Sequence, residues 1–241
     1  TRIGSARRIR SPRPNRTDIV EPSPSTAASE TERLRKMPLE PVKNVARYIM
    51  PQAVKRFARD LVGKPQPGPS RVRADSNRWL RAQCKDIGGA ILSIGSLDDN
   101  DGEGRKYRNY FPGATSCTTS EVVPMGGCDL VIDVRSMPEM TSSSYDCIYC
   151  SGVREHVDEF RKGFAEITRI LRPGGILLLG LPFRQAIHLA PQDFWRFTEY
   201  GIKYLLKESY EVLAMAEIGT EVKDFAGTYW VNARKNPPGR T

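Results

Sequence analysis

Three positions, each closing an apolar run, carry groups suited to holding a nucleoside. Gly95-Ser96 follow "AILSIG", and a small backbone at such a point lets a ligand approach closely. Glu121 follows "SCTTS", where a carboxylate can accept both hydrogen bonds of a ribose diol. Asp133 ends "DLVID", where an acid can accept from an exocyclic amine such as that of adenine. Each signal alone is weak, because acids commonly end strands; the ordered set describes a pocket for an adenosine-like ligand.

The stretch "ILSIGSLDDNDGEG", residues 91–104, leaves two readings open. It is a ligand-binding turn with its glycines partly worn away, or it is an acidic surface loop. In the first reading its carboxylates favour a cationic ligand by Coulomb attraction, about 1 kcal/mol per contact near water.

The chain has two imidazoles, His156 and His188. A histidine is well suited to removing a proton from a hydroxyl near neutral pH. Cys147 and Cys150 form a C-x-x-C, but "YDCIYCSG" reads as a strand, whereas metal and redox pairs want a turn or helix start between the thiols. No second cysteine pair has ligand spacing, so no metal site is expected. Five cysteines do not suggest a disulfide framework, and a reducing, cytoplasmic setting fits them.

The elements that must position these residues alternate. "NRWLRAQCKDI" reads as a helix, "AILSIG" as a strand, "RKYRNYF" as a short helix, and "ATSCTT", "DLVIDV" and "YDCIYCSG" as strands. A helix follows from Asp158 to Leu171 with Phe160, Phe164, Ile167 and Leu171 on one face, and "RPGG" is expected to stop it. "ILLLGLPF" is apolar on both faces, as a central parallel strand is. The helix "EYGIKYLLKES" and the strands "YEVLAMAEI" and "TYWVNARK" complete an α/β pattern that implies a doubly wound, mostly parallel sheet over residues 76–236. In such sheets ligands sit beyond the carboxyl ends of the strands, where strand order reverses.

Of the 241 residues, the first 81 hold 19 Lys and Arg against 7 acids, and the remainder 18 against 21. The basic character therefore belongs to the N-terminal segment, which argues against nucleic-acid binding by the domain. Residues 1–40, rich in Pro, Ser, Thr and Arg, are expected to be a disordered basic extension. Residues 41–71 are expected to form a basic amphipathic helix and a linker. Val42, Val45, Ile49, Ala53, Val54, Phe57 and Leu61 make the apolar stripe, either docked on the domain or in peripheral contact with an anionic membrane through residues 41–62. The first residue is Thr, as in a processed, truncated or partial chain, and no signal peptide or membrane span is read.

From Ile91 to Lys235 the sequence resembles class I S-adenosylmethionine-dependent methyltransferases of the type 11 branch. The resemblance rests, in order, on "ILSIGS", "YRNYFPGA", "DLVIDV-x-x-MP", "SYDCIYCSGVREHV", "EITRILRPGGILLLGLPF" and "H-x-x-P-x-D-F-W-R-F-T". It implies a Rossmann-like methyltransferase fold with a seven-stranded sheet and S-adenosylmethionine as cofactor. Gly95 and Ser96 would lie against its methionine part, Glu121 would hold its ribose, and Asp133 would face the adenine amine with Met137 nearby. Ser151, Gly152, Glu155 and His156 would follow the fourth strand, close to the cofactor.

His188 stands where the family's acceptor pocket opens and is the expected general base or acceptor-orienting group; the alternative is a link tying "HLAPQDFWRF" to the sheet. Asp193, Trp195 and Arg196 are candidates for substrate binding, with an Asp193–Arg196 ion pair and aromatic packing as the competing reading. His156 reads as a helix-entry residue. A small-molecule, glycan or lipid-linked acceptor is expected. A catalytically silent domain kept for binding or assembly is the alternative. A nicotinamide-dependent oxidoreductase is disfavoured, because no G-x-G-x-x-G joins the first strand to its helix.

Overall fold

A computed structural model of the chain describes residues 70–96, 98–124, 127–219, 225–237 and 239. The expected extension, the basic helix and Leu97 lie outside these residues. Helix α1 spans Arg71–Cys84 and leads into β1, Gly88–Ile94. A 3-10 turn, Tyr107–Tyr110, precedes β2, Gly113–Glu121, and β3, Leu130–Val131. Strand β4, Tyr145–Ser151, is followed by a 3-10 turn at Arg154–His156, helix α2, Phe160–Ile170, and β5, Leu171–Pro182. Helix α3, Glu199–Leu206, and strands β6, Tyr210–Ile218, and β7, Thr228–Lys235, end the domain.

The seven strands lie in the order β3-β2-β1-β4-β5-β7-β6. β1 to β5 pair in parallel, and β7 runs antiparallel to both β5 and β6. Strand order reverses between β1 and β4, which makes their carboxyl ends the place to look for a ligand.

The period of two along each strand divides the core between two layers. Leu92, Ile94, Ile148, Cys150, Leu177 and Leu179 meet Phe164, Ile167 and Ile170 of α2 and Ile202 and Leu206 of α3. Ile91, Cys147, Tyr149, Leu178 and Trp230 meet Leu80 and Cys84 of α1 on the opposite face. Trimming a wholly buried residue such as Leu178 to Ala is expected to cost about 2–5 kcal/mol. Cys147 and Cys150 lie on opposite faces of the sheet, and burial raises both thiol pKa values, so they act as separate core residues.

Three local expectations change. α1 starts at Arg71 rather than near Asn77, because the Ser70 hydroxyl accepts from the Arg73 N–H and caps it. "RPGG" does not follow the helix as a stop: α2 already ends at Ile170, and Arg172–Gly175 form the entry to β5. At Gly175 a Cβ would lie 2.8 Å from Leu171 Cδ1 and 2.9 Å from the Arg172 carbonyl, so the bent entry needs a residue without one. Of "DLVIDV", only Leu130 and Val131 pair as a strand, on the exposed edge of the sheet.

Among the described residues, turns rather than helices follow β1, β2 and β3, and no helix is long and apolar enough to cross a membrane.

Candidate functional site

The first strand tip is held by main-chain bonds. Gly95 N and Ser96 N both donate to the Ser120 carbonyl, at 2.9 and 3.3 Å, tying the turn after β1 to the end of β2. Gly95 has φ +71°, and a Cβ there would lie 2.1 Å from Val153 Cγ2. The glycine is thus required twice, by its left-handed backbone and by the side chain across the crevice.

The polar loop that follows is built inward. Asp101 is wholly buried; its carboxylate accepts from Glu103 N at 2.7 Å, Arg105 N at 3.0 Å and the Tyr110 hydroxyl at 2.6 Å. Burial opposes ionisation of Asp101, but these bonds outweigh it and lower its pKa. Asp99, also buried, pairs with Arg108. Glu103 accepts from Arg81 and Asn77 of α1, both at 2.9 Å. The expectation that these acids await a cationic ligand is therefore corrected: Asp99, Asp101 and Glu103 are answered within the protein, and they brace the loop.

Glu121 is buried at the tip of β2, one residue beyond Ser120, which pairs with Ile94 of β1. Its carbonyl accepts from Ile132 N at 2.8 Å, which carries the chain toward Asp133. Asp133 is gripped by Arg135: Nε lies 3.0 Å from each carboxylate oxygen and Nη2 2.6 Å from Oδ2. The guanidinium holds the Asp133 carboxyl below the usual carboxylate range and also reaches Asp158 at 2.9 Å. Met137 is fully buried in the core beside α2, its N–H bonded to Glu166 and its carbonyl to Arg169, so its side chain is a packing element. A shallow groove of about 370 Å³ lies nearby between Arg135, Pro138, Glu166 and Arg169, and one of about 320 Å³ lies by Asp86, Arg172 and Ile176. Neither opens on the strand tips.

Ser151 ends β4, and a Cβ at Gly180 would lie 2.4 Å from its hydroxyl, so Gly180 makes room for it. Beyond Ser151 the chain turns through Gly152, φ +68°, and buries Arg154 and Glu155. The Glu155 carbonyl accepts from Phe194 N at 2.7 Å, which brings the loop after β5 against the loop after β4. Here the two histidines meet: their rings are edge to face with centroids 4.9 Å apart. Glu155 Oε1 lies 3.9 Å from Nε2 of each. Burial raises the Glu155 pKa, and a main-chain hydrogen bond, the neighbouring histidines and Arg196 pull it back only in part.

Asp193 anchors the second loop. Its side chain is almost wholly buried, takes a two-pronged bond from Arg196 at 2.6 and 2.7 Å, and accepts from His188 N at 2.7 Å. Arg196, and secondarily the His188 N–H, hold its carboxyl far below the usual carboxylate range. Trp195 donates from Nε1 to the Val157 carbonyl at 2.9 Å and packs edge-on against Phe160, and Phe197 is buried beside the same ring. Asp193, Arg196 and Trp195 thus hold the loop, and with it His188 beside Glu155 and His156.

The tips of β1, β2 and β4 come together as the sequence implies. What sequence reading undervalued is Glu155 and His156, taken as followers of β4 although Glu155 is the carboxylate both rings face. The available signal was an acid directly before one of only two histidines.

Residues 116–179 match the family described as "Methyltransferase domain". No curated protein matches the chain. Among solved structures, the chain is similar to Burkholderia thailandensis 1,6-didemethyltoxoflavin-N1-methyltransferase with bound 1,6-didemethyltoxoflavin and S-adenosylhomocysteine, at 15% identity, over 92% of this chain and 94% of that one, TM-score 0.56. It is also similar to the N-methyltransferase NodS from Bradyrhizobium japonicum WM9 in complex with S-adenosyl-L-homocysteine, at 16% identity over 71% and 90%, TM-score 0.53. A third is the [4+2]-cyclase SpnF, at 16% identity over 76% and 93%, TM-score 0.54. At these identities the likeness is one of fold.

Proposed function

We propose that the chain is a class I methyltransferase of the type 11 branch, the family that residues 116–179 match, and that it transfers the methyl group of S-adenosylmethionine to a small-molecule acceptor. The observation that carries the reading is the junction of the β1 turn with the β2 tip: Gly95 and Ser96 bonded to Ser120, with Glu121 next in line. That junction faces the β4 turn at Val153, across the point where strand order reverses.

The cofactor, when bound, supplies a methyl group on a cationic sulfur. Gly95 would offer bare backbone to it, Glu121 would accept from the ribose hydroxyls, and Asp133, whose carboxylate Arg135 holds, would take the exocyclic amine. Ser151 lies at the β4 side of the same crevice. Two nearby imidazole nitrogens suit a proton-bearing acceptor. His188 Nδ1 lies 3.1 Å from the Ala186 carbonyl, which assigns the proton to Nδ1 and a lone pair to Nε2. That lone pair could receive the proton of an acceptor hydroxyl or amine. Alignment and exclusion of water are the protein's remaining share. A small acceptor is favoured over nucleic acid because the chain beyond residue 81 carries more acids than bases.

A second reading, a domain retained for binding, draws on the polar loop that stands in place of a glycine-rich first turn; the shared fold alone does not decide the reaction. Titration of the full chain with S-adenosylhomocysteine separates the two. Saturable binding that Glu121→Ala weakens supports the transferase, and no saturation at millimolar concentration overturns it.

A further inference from the structure

Methyl transfer leaves one feature of the acceptor side without a purpose. Glu155 is 2% exposed, and its Oε2 has no hydrogen-bond partner. Buried carboxylate oxygens are ordinarily satisfied, so an orphan of this kind calls for an explanation. The groups it faces do not provide one. His156 Nδ1 lies 2.6 Å from the Gln192 carbonyl, and His188 Nδ1 lies 3.1 Å from that of Ala186. A carbonyl can only accept, so each neutral ring carries its proton on Nδ1 and a lone pair on Nε2. Both Nε2 atoms stand 3.9 Å from Glu155 Oε1. Two nitrogen lone pairs and a carboxylate thus converge with no side-chain donor between them.

A cation satisfies all three. The candidate ligand atoms of Glu155, His156 and His188 lie within 4.8 Å of one another, with the rings nearly perpendicular. Bonds of about 2.0–2.2 Å to nitrogen and oxygen require only a modest contraction of this spacing. Backbone carbonyls on the far ring nitrogens are the usual outer partners of histidine ligands, and they fix the tautomer that binding needs. The local charge agrees: Arg196 is neutralised by Asp193, and the buried Arg154 turns away to the Phe160 carbonyl and the Phe164 ring, so the charge facing the two imidazoles is the Glu155 carboxylate. The His188 side chain is 38% exposed, so the cluster has an open side through which an ion and one further ligand can enter.

We propose that Glu155, His156 and His188 form a binding site for a divalent first-row transition-metal ion, zinc being the ion best suited to two imidazoles and one carboxylate with an open position. The site lies at the loops after β4 and β5. Its further use, holding the acceptor's oxygen or nitrogen on the open position, rests on the methyltransferase reading; ion binding itself does not. The two uses of His188 are exclusive, because an ion occupies the lone pair that would otherwise take a proton.

The test uses the full chain stripped with a chelator and titrated with zinc(II) in competition with a chromophoric chelator, and with cobalt(II) followed by its visible absorption. One equivalent should bind, giving a cobalt spectrum without the near-ultraviolet thiolate band that cysteine ligation produces. Glu155→Gln, His156→Ala and His188→Ala should each lower the affinity by at least ~10-fold, with circular dichroism unchanged. If Glu155→Gln does not fold, His188→Ala, at a partly exposed position, carries the test. Binding at wild-type strength in the variants, thiolate absorption, or no binding by the wild-type protein overturns the site. S-adenosylhomocysteine titrated with and without zinc is read separately: cofactor binding without ion binding defeats only the metal site, and the reverse defeats only the transferase reading.

Discussion

The carbonyl of Glu155 accepts a hydrogen bond from the N–H of Phe194 at 2.7 Å. This bond joins the loop after β4 to the loop after β5, and its consequence is that His156 and His188 share one carboxylate. A main-chain bond of this kind constrains the loops whatever the side chain at 194, and Phe194 itself is half exposed. The side chains that keep the second loop in reach of the first are Asp193, Arg196 and Trp195.

Asp193→Ala is expected to destabilise the fold by about 1.5–3 kcal/mol, the range for hydrogen bonds to a charged group. Because Arg196 depresses the folded-state pKa of Asp193, its contribution is present above the unfolded carboxyl pKa of about 4 and is lost as pH falls toward the folded value. Urea unfolding at a series of pH values should show the gap between wild type and variant widest at neutral pH and narrowing below about pH 4. A gap constant over that range would rule out the ion pair as its source.

Glu121→Ala should weaken S-adenosylhomocysteine binding about 10- to 150-fold, the equivalent of about 1.5–3 kcal/mol, the range for a hydrogen bond to a charged group. Calorimetric titration measures this directly. Unchanged affinity would remove Glu121 from the site.

At Gly95 the expected damage has two separable sources. The left-handed backbone costs a residue with a Cβ about 1–2 kcal/mol, and the new Cβ meets Val153 Cγ2. Gly95→Ala should therefore lower both the melting temperature and cofactor affinity, and Val153→Ala in the same chain should restore part of each. A double variant no better than the single one would mean that the contact across the crevice is not what requires glycine.

Asp101→Ala distinguishes a braced loop from a solvated one. With Tyr110 and two N–H groups losing their acceptor, a loss of about 1–3 kcal/mol is expected in chemical denaturation. An effect within about 0.5 kcal/mol, typical of surface substitutions, would return residues 95–106 to the status of an acidic surface loop.

Much of the fold was legible because its signals are local. The run "ILLLGLPF", apolar on both faces, and the apolar face of Phe160, Phe164 and Ile167 are local patterns, and both appear, although Leu171, read on the same helical face, opens β5. Element ends were less legible. The Ser70 cap that starts α1 and the bend at Gly175 depend on single hydrogen bonds and close approaches. β3 shrank to two residues, which pair with Ser120 and Glu121 at the edge of the sheet.

By itself the sequence determined the succession of strands, and with it the ends of β1, β2 and β4 near which Gly95, Glu121 and Ser151 stand, with Asp133 two residues past β3. Only the tertiary structure decided how those groups are spent: Asp133 on Arg135, Asp99 and Asp101 on their own loop, and Glu155 on two histidines. The physical reason is that hydrophobic periodicity is a property of neighbours along the chain. The meeting of His156 and His188 depends on where two loops are pinned, through bonds such as Phe194 to Glu155 and Arg196 to Asp193.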